Sequence, residues 1–307
     1  MEATQNIPAL SVRSLNKFYG SHQVLHELSL EVAPGAIMGL VGLNGSGKTT
    51  TIECLLGLQG FQSGSIRVMG HAPDRLHESE GQVVAVFDSP SLHPHLTVRQ
   101  ALIHACQLLP EQVRSPAEVE ELLGIARYRD FRIRQLSLGN KRRASIAQAL
   151  LGAPRLVVLD EPFNGLDAGG VDDLLALIRH LNTREHISFM LSSHQLPYLE
   201  QICSHIAILH DGRIARSGTI DELLQGSQST LRIVSDDTDS ATAQLQAMAG
   251  VEIESVNDNR VLVSLSGADS ASINRNLVKQ GIDVSELVVE KASLSSLFRH
   301  ITGESQP

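Results

Sequence analysis

The stretch Gly35-Ala36-Ile37-Met38-Gly39-Leu40-Val41-Gly42-Leu43-Asn44-Gly45-Ser46-Gly47-Lys48-Thr49-Thr50 decides how this chain is read. An apolar run ends in a glycine-rich turn of the form GxxxxGK[ST], Gly42 to Thr49, and a helical run follows from Thr50 to Leu58. Strand, turn and helix in that order separate a phosphate-binding loop from a chance match. The glycines let the backbone curl until successive N–H groups face one anion, and the positive end of the following helix adds its field. Lys48 then reaches the outer phosphates of a nucleotide, and the Thr49 hydroxyl suits a magnesium ion. Gly42, Leu43, Asn44, Gly45, Ser46, Gly47, Lys48, Thr49 and Thr50 are therefore candidate nucleotide contacts.

A cradle binds nucleotide without hydrolysing it. Downstream, Leu156-Val157-Val158-Leu159-Asp160-Glu161 is an apolar run ending in two carboxylates. Alone, such a pair reads as a solvated turn. Beside a phosphate loop, Asp160 reads as a metal holder acting through water, and Glu161 as acceptor of a proton from the attacking water. A positioned base of this kind is typically worth about 10²–10⁴ in rate.

Three further elements carry a family resemblance. Leu136-Ser137-Leu138-Gly139-Asn140-Lys141-Arg142-Arg143 opens the helical run Ala144 to Leu151 and resembles the LSGGQ signature of ATP-binding cassette (ABC) transporters. Asn164-Gly165-Leu166-Asp167 is similar to that family's D-loop, and His194 after Ser192-Ser193 to its H-loop. Tyr19, in Phe18-Tyr19-Gly20, stands where the family stacks adenine on an aromatic ring. Order and spacing agree over roughly residues 9–224.

The resemblance implies an ATPase subunit using ATP and Mg²⁺. Lys48, Glu161 and His194 would be catalytic, with His194 on the γ-phosphate. Tyr19, the 42–50 loop, Ser137 and Gly139 would contact nucleotide, and Thr49, Asp160 and Asp88 would serve the metal. In this family a second cassette, identical or paralogous, closes each site with its signature helix. A separate integral-membrane permease provides the path, which puts such a subunit on the cytoplasmic face of the inner membrane. No nucleic-acid partner is expected.

This chain departs from the family pattern in two places. The signature has Leu138 for a glycine and Asn140 for glutamine, while Ser137 and Gly139 are kept. Residues 83–98, VVAVFDSPSLHPHLTV, align with the Q-loop, where Asp88 replaces the common glutamine. A charged oxygen suits Mg²⁺; the alternatives are a hinge toward the permease or a solvated loop carboxylate. In the following stretch, Leu92, Leu96 and Leu102 either line a groove for the permease or pack the helical segment. EPFNGLD (161–167), SLGNKRR (137–143) and SLSSLFRHITG (293–303) resemble an exporter branch. That branch serves drugs, antibiotics and bacteriocin peptides, and includes the copper-processing system of nitrous oxide reductase maturation.

Composition agrees with a globular, core-forming chain: 307 residues, 42% hydrophobic and 19% charged, which excludes collagen-like and disordered classes. A spanning helix needs about 20 consecutive apolar residues, and the longest run here extends only from Ala36 to Leu43. The N-terminal MEATQNIPAL lacks a basic start and an apolar core, so no signal peptide is expected. Cys54, Cys106 and Cys203 match no metal or disulfide spacing, which suits a reducing compartment. Net charge is -9, against broad nucleic-acid binding. In the basic cluster from Arg127 to Arg143 no aromatic interleaving suits base stacking, and it reads as a solvated helical face near the membrane or permease. The 13 histidines are scattered and read as structural or surface residues.

The expected fold is α/β: a P-loop NTPase cassette over residues 9–225, with a RecA-like mixed sheet core, an antiparallel β edge and a helical subdomain at about 89–151. GSQS (226–229) reads as a joint, and residues 229–307 as a small accessory α+β domain, with alternation at Val261, Val263 and Leu265 and a helix from Ser293 to Ile301. Two rival functions remain. A soluble cassette acting on ribosomes or DNA would carry a second nucleotide set, coiled coils or zinc cysteines. A degenerate regulator would have lost Lys48, Asp160, Glu161 or His194.

Overall fold

Ile37–Val41, Leu156–Asp160 and Ser188–Ser193 are buried along their whole length, as strands covered on both faces must be. The computed structural model describes residues 7–89, 91–224, 230–257, 259–265, 269–290 and 293–303. Along the chain, β1 (Leu10–Tyr19), β2 (His22–Val32) and β3 (Ile37–Val41) precede α1 (Lys48–Leu55), β4 (Ser63–Val68) and β5 (Val83–Val86). Helices α2 (Val98–Cys106), α3 (Pro116–Leu122) and α4 (Leu138–Ala149) follow without an intervening strand. Then come β6 (Leu156–Asp160), α5 (Ala168–Glu185), β7 (Ser188–Ser193), α6 (Leu196–Ile202), β8 (His205–His210), β9 (Arg213–Thr219) and α7 (Ile220–Leu224).

The chain divides into two compact units, Met1–Ile220 and Asp221–Pro307. In the first, six strands run in the order β5-β6-β7-β3-β8-β9, parallel except for the antiparallel β8–β9 edge. A second, antiparallel sheet has the order β2-β1-β4. One apolar cluster joins the two sheets: Leu10, Leu15 and Leu28 on one side, Leu40, Val158 and Met190 on the other, with Ile52 and Leu55 of α1 among them. Burial of that face fixes the axis of α1, and hence where its N-terminus points. This is the mixed sheet, antiparallel edge and helical stretch expected from the sequence.

In the α2–α4 region, Leu102 is buried, while Leu92 joins Phe87, Ala105, Leu108 and Leu109 around a cleft of about 270 Å³ beside β5. Leu102 thus packs the helical segment, and Leu92 faces a groove.

The second unit contains β10 (Thr230–Val234), α8 (Thr238–Gln246), β11 (Val251–Asn257), β12 (Arg260–Leu265), α9 (Ser270–Lys279), β13 (Glu286–Glu290) and α10 (Leu294–Thr302). Its antiparallel sheet has the order β11-β12-β10-β13, a split β-α-β arrangement. Leu231, Ile233, Val261 and Val263 pack against Leu245, Ile273 and Leu277 of its helices. The GSQS joint lies outside the described residues.

Cys54 and Cys203 are buried, and burial pushes both thiols above the usual cysteine range; Cys106 is partly exposed. One thiol per chain is therefore expected to react readily with Ellman's reagent in the native state, and all three in denaturant. Rapid labelling of Cys203 in the native protein would contradict this packing.

Candidate nucleotide site

Open parallel sheets bind ligands at the carboxyl ends of their strands. Here β3 delivers Gly42 and the loop into α1, β6 delivers Asp160 and Glu161, and β7 delivers His194. A Cβ on Gly42 would strike Ser46 Oγ and come within 2.6 Å of the Leu209 carbonyl, so this bend admits no side chain. Gly47 has φ 108° and lies against Leu25 of β2, 2.7 Å from where a Cβ would stand. As N-cap of α1 it offers no side chain to the first N–H groups of the helix, and no acidic residue follows in the first turn. The helix start is thus left for an external anion, as a phosphate cradle requires.

Lys48 is nearly buried. Its ammonium donates to the carbonyls of Gly42 at 2.7 Å and Leu43 at 3.2 Å, and forms an ion pair with Glu161 Oε1 at 3.3 Å. That last contact lacks hydrogen-bond geometry, and Oε1 is otherwise unpartnered. The other Glu161 oxygen, Oε2, lies 3.0 Å from His194 Nδ1. Thr49 Oγ1 donates to Asp160 Oδ2 at 3.1 Å, and Ser192 Oγ donates to Asp160 Oδ1. Glu161 sits at φ 48°, a left-handed conformation unusual for a residue with a side chain. Its N–H is shared by the Ser192 carbonyl and Ser192 Oγ, each at 3.1 Å.

The structure therefore gathers Lys48, Thr49, Asp160, Glu161 and His194. Tyr19 lies exposed at the turn of the β1–β2 hairpin, whose Val24 and Leu25 flank Gly47; the Lys17 ammonium sits 4.5 Å above its ring. Ser137 caps α4, its hydroxyl accepting from the Asn140 N–H at 3.3 Å. A Cβ on Gly139 would approach the Gly165 carbonyl to 3.0 Å, so the signature lies against this chain's own D-loop. Among the described residues, no hydrogen bond or ion pair joins Ser137 or Gly139 to the 42–50 loop. Ser137 is exposed.

Asp88 is brought to a different set of partners. Its Oδ1 accepts from Arg142 Nη2 at 2.7 Å and from Asn164 Nδ2 at 3.1 Å. Partial burial raises its carboxyl, but these hydrogen bonds and the Arg142 charge outweigh that and hold it below the usual carboxylate range. One carboxylate oxygen of Asp88 is thus engaged by this chain's own Arg142 and Asn164. Arg142 itself corrects the sequence reading. Arg127, Arg129, Arg132 and Arg134 are exposed as expected of a solvated face, but Arg142 is 1% exposed. The sequence reading also missed Ser192 as a bridge between Asp160 and Glu161. Its signal was its place two residues before His194, at the end of an apolar strand.

A phosphate cradle, two carboxylates at the end of the strand one removed from it and a histidine on the second carboxylate define a P-loop nucleotide-hydrolysing cassette. Residues 25–164 match the family model described as ABC transporter. The bacitracin transport ATP-binding protein BcrA of Bacillus licheniformis is 29% identical over 300 residues, covering 96% of this chain and 97% of that protein. The uncharacterized ABC transporter ATP-binding protein YdbJ of Bacillus subtilis (strain 168) is 31% identical over 302 residues and 97% of each chain. A solved ATP-binding subunit of an ABC transporter superposes with TM-score 0.65 at 28% identity, over 71% of this chain and 92% of that one. A dimeric cassette bound to ADP and Pi shares the fold at TM-score 0.63 and 21% identity, over 68% and 98%. The chain belongs to the ATP-binding subunits of ABC transporters, with its likeness in the drug- and antibiotic-exporter branch, and it is an ATPase.

Ser192→Ala removes a buried donor to Asp160 and an acceptor for the Glu161 N–H. The expected cost is about 1–3 kcal/mol of stability, read as a lower urea midpoint. An unchanged midpoint would contradict the bridging role.

Proposed function

We propose that this chain binds MgATP between two copies of itself, or itself and a paralogous cassette, and drives export through a separate membrane permease. The observation that carries the reading is the placement of Glu161, its carboxylate between Lys48 and His194 and beside the Thr49–Asp160 pair. In this reading Lys48 and the 42–50 loop hold the phosphates, and Tyr19 stacks on the base. Glu161 takes the proton of the attacking water, and His194 contacts the γ-phosphate. Thr49 and Asp160, two hard oxygen donors 3.1 Å apart, would hold Mg²⁺, which neutralises phosphate charge. Among the described residues no group of three or more His, Cys, Asp or Glu side chains suits a metal.

The exposed start of α4 supports a shared site. Ser137 is exposed and Gly139 partly so; in this reading their N–H groups would meet the γ-phosphate bound by the other copy. A two-fold arrangement then makes two equivalent sites from one set of motifs. Export of an antibiotic-like cargo is supported by the relationship with BcrA, which runs through the C-terminal unit. The methionine import protein MetN of Clostridioides difficile (strain 630) matches only 73% of the chain. No helix among the described residues is long and apolar enough to cross a membrane, so the path would belong to a permease at the inner membrane. The cleft lined by Phe87, Leu92 and Leu108 is where that permease would dock.

Two outcomes test this reading. Lys48→Ala is expected to abolish tight ATP binding in a fluorescence titration, since it removes the charge facing the outer phosphates; near-normal affinity would refute the cradle. Glu161→Gln is expected to bind ATP without turnover and to elute as a dimer in size-exclusion chromatography with MgATP. A monomer at saturating nucleotide would refute the shared site.

A further inference from the structure

Arg142 lies in the first half of α4, between the partly exposed Lys141 and Arg143, yet it is 1% exposed. Its guanidinium spans two other segments of the chain. Nη1 donates to the Glu161 carbonyl, while Nη2 donates to the Asp88 carbonyl and, at 2.7 Å, to Asp88 Oδ1. Nε is buried without a hydrogen-bond partner, so this cation is held by what its two terminal nitrogens grasp. A buried charge persists only when paired and hydrogen-bonded. Asp88 is the counter-charge, and its own side chain is 53% exposed.

The network continues past Asp88. Asn164 Nδ2 donates to Asp88 Oδ1 at 3.1 Å, and Gln195 Nε2 donates to Asn164 Oδ1 at 3.1 Å. Gln195 follows His194, which contacts the Glu161 carboxylate at 3.0 Å. A ring of contacts thus leaves Glu161 through its carbonyl and returns through its carboxylate. Four segments meet in it: the start of α4, the stretch after β5, the residues after β6 and those after β7.

We infer that Arg142 is a positioning residue for Glu161, and that Asp88 sets where Arg142 stands. The inference rests on the proposed role of Glu161 as base. Arg142 works on the Glu161 backbone, whose left-handed φ of 48° is not one that a glutamate adopts by preference. One guanidinium therefore ties the base both to the signature helix and to the segment after β5. A shift of either element pulls on the Glu161 carbonyl without touching nucleotide. The Asp88 charge matters to this arrangement because removing it would leave the buried Arg142 cation without its counter-charge.

The test is a double-mutant cycle in the full chain, reading kcat, KM for ATP and the Kd of a fluorescent ATP analogue. Arg142→Gln is expected to lower kcat about tenfold or more while the analogue Kd stays within about twofold. Asp88→Asn is expected to lower kcat about threefold or more with the same unchanged affinity. The double variant is expected to be no slower than Arg142→Gln alone, because both changes act through one guanidinium. Losses that multiply, or a raised Kd with wild-type kcat, would overturn the inference. If Arg142→Gln fails to fold, Asp88→Asn, at a half-exposed side chain, carries the test, and wild-type kcat in it overturns the inference. Glu161→Gln, assayed in parallel, separates the two levels. Retained turnover there removes the premise. Lost turnover there, with unchanged kcat in the Asp88 and Arg142 variants, removes the inference alone.

Discussion

Lys48 and Glu161 stand 3.3 Å apart, both largely buried, and the rest of the site depends on keeping them there. Two opposite charges at low dielectric stabilise each other strongly, and either one alone would be costly. Lys48 turns its ammonium back on the loop's own carbonyls, and Glu161 Oε1 lacks a hydrogen-bond donor. An entering triphosphate would give the ammonium a better partner and leave the carboxylate to water. The parallel order β6-β7-β3 is the device that makes this approach happen, because it brings three strand ends together. Ser192, on the strand between, stitches Asp160 and Glu161 in place.

Much of this was legible in the sequence because it is local. The loop from Gly42 to Thr49, the apolar β6 with its two carboxylates, and His194 at the end of β7 each declare themselves within a few residues. Their period and order also fixed the fold class. What stayed hidden depends on contacts between distant residues. Arg142 belongs to a run rich in lysine and arginine, which ordinarily signals a solvated helix start. Its burial is decided by Asp88, 54 positions away, and no periodicity encodes that pairing. Nothing in the sequence around Asp88 announces its pairing with Arg142 and Asn164. In the C-terminal unit, alternation at Val261 and Val263 marked a strand. The order β11-β12-β10-β13 needs pairings across more than fifty residues, as between Arg232 and Glu286.

The geometry also bears on why such a chain would work in pairs. Its own signature start packs beside its own D-loop, with Leu138 filling the space over Gly165, and leaves Ser137 facing outward. The phosphate loop, in turn, has donors on one side of an anion. On the proposed reading, a second copy supplies the other side, so that ATP is the adhesive and hydrolysis the release. The ring from Arg142 through Asp88, Asn164 and Gln195 to His194 would then let the closing signature helix tighten its own chain's base.

A mixing assay tests the shared site most directly. Ser137→Arg spoils the signature and Lys48→Ala spoils the loop, so each homogeneous variant should be nearly inactive. A mixed dimer has one site with both halves intact. Combining equal amounts of the two is expected to restore roughly a quarter of wild-type ATPase activity, since about half the dimers are mixed and each holds one good site. Activity no higher than that of the separate variants would contradict a site built from two chains.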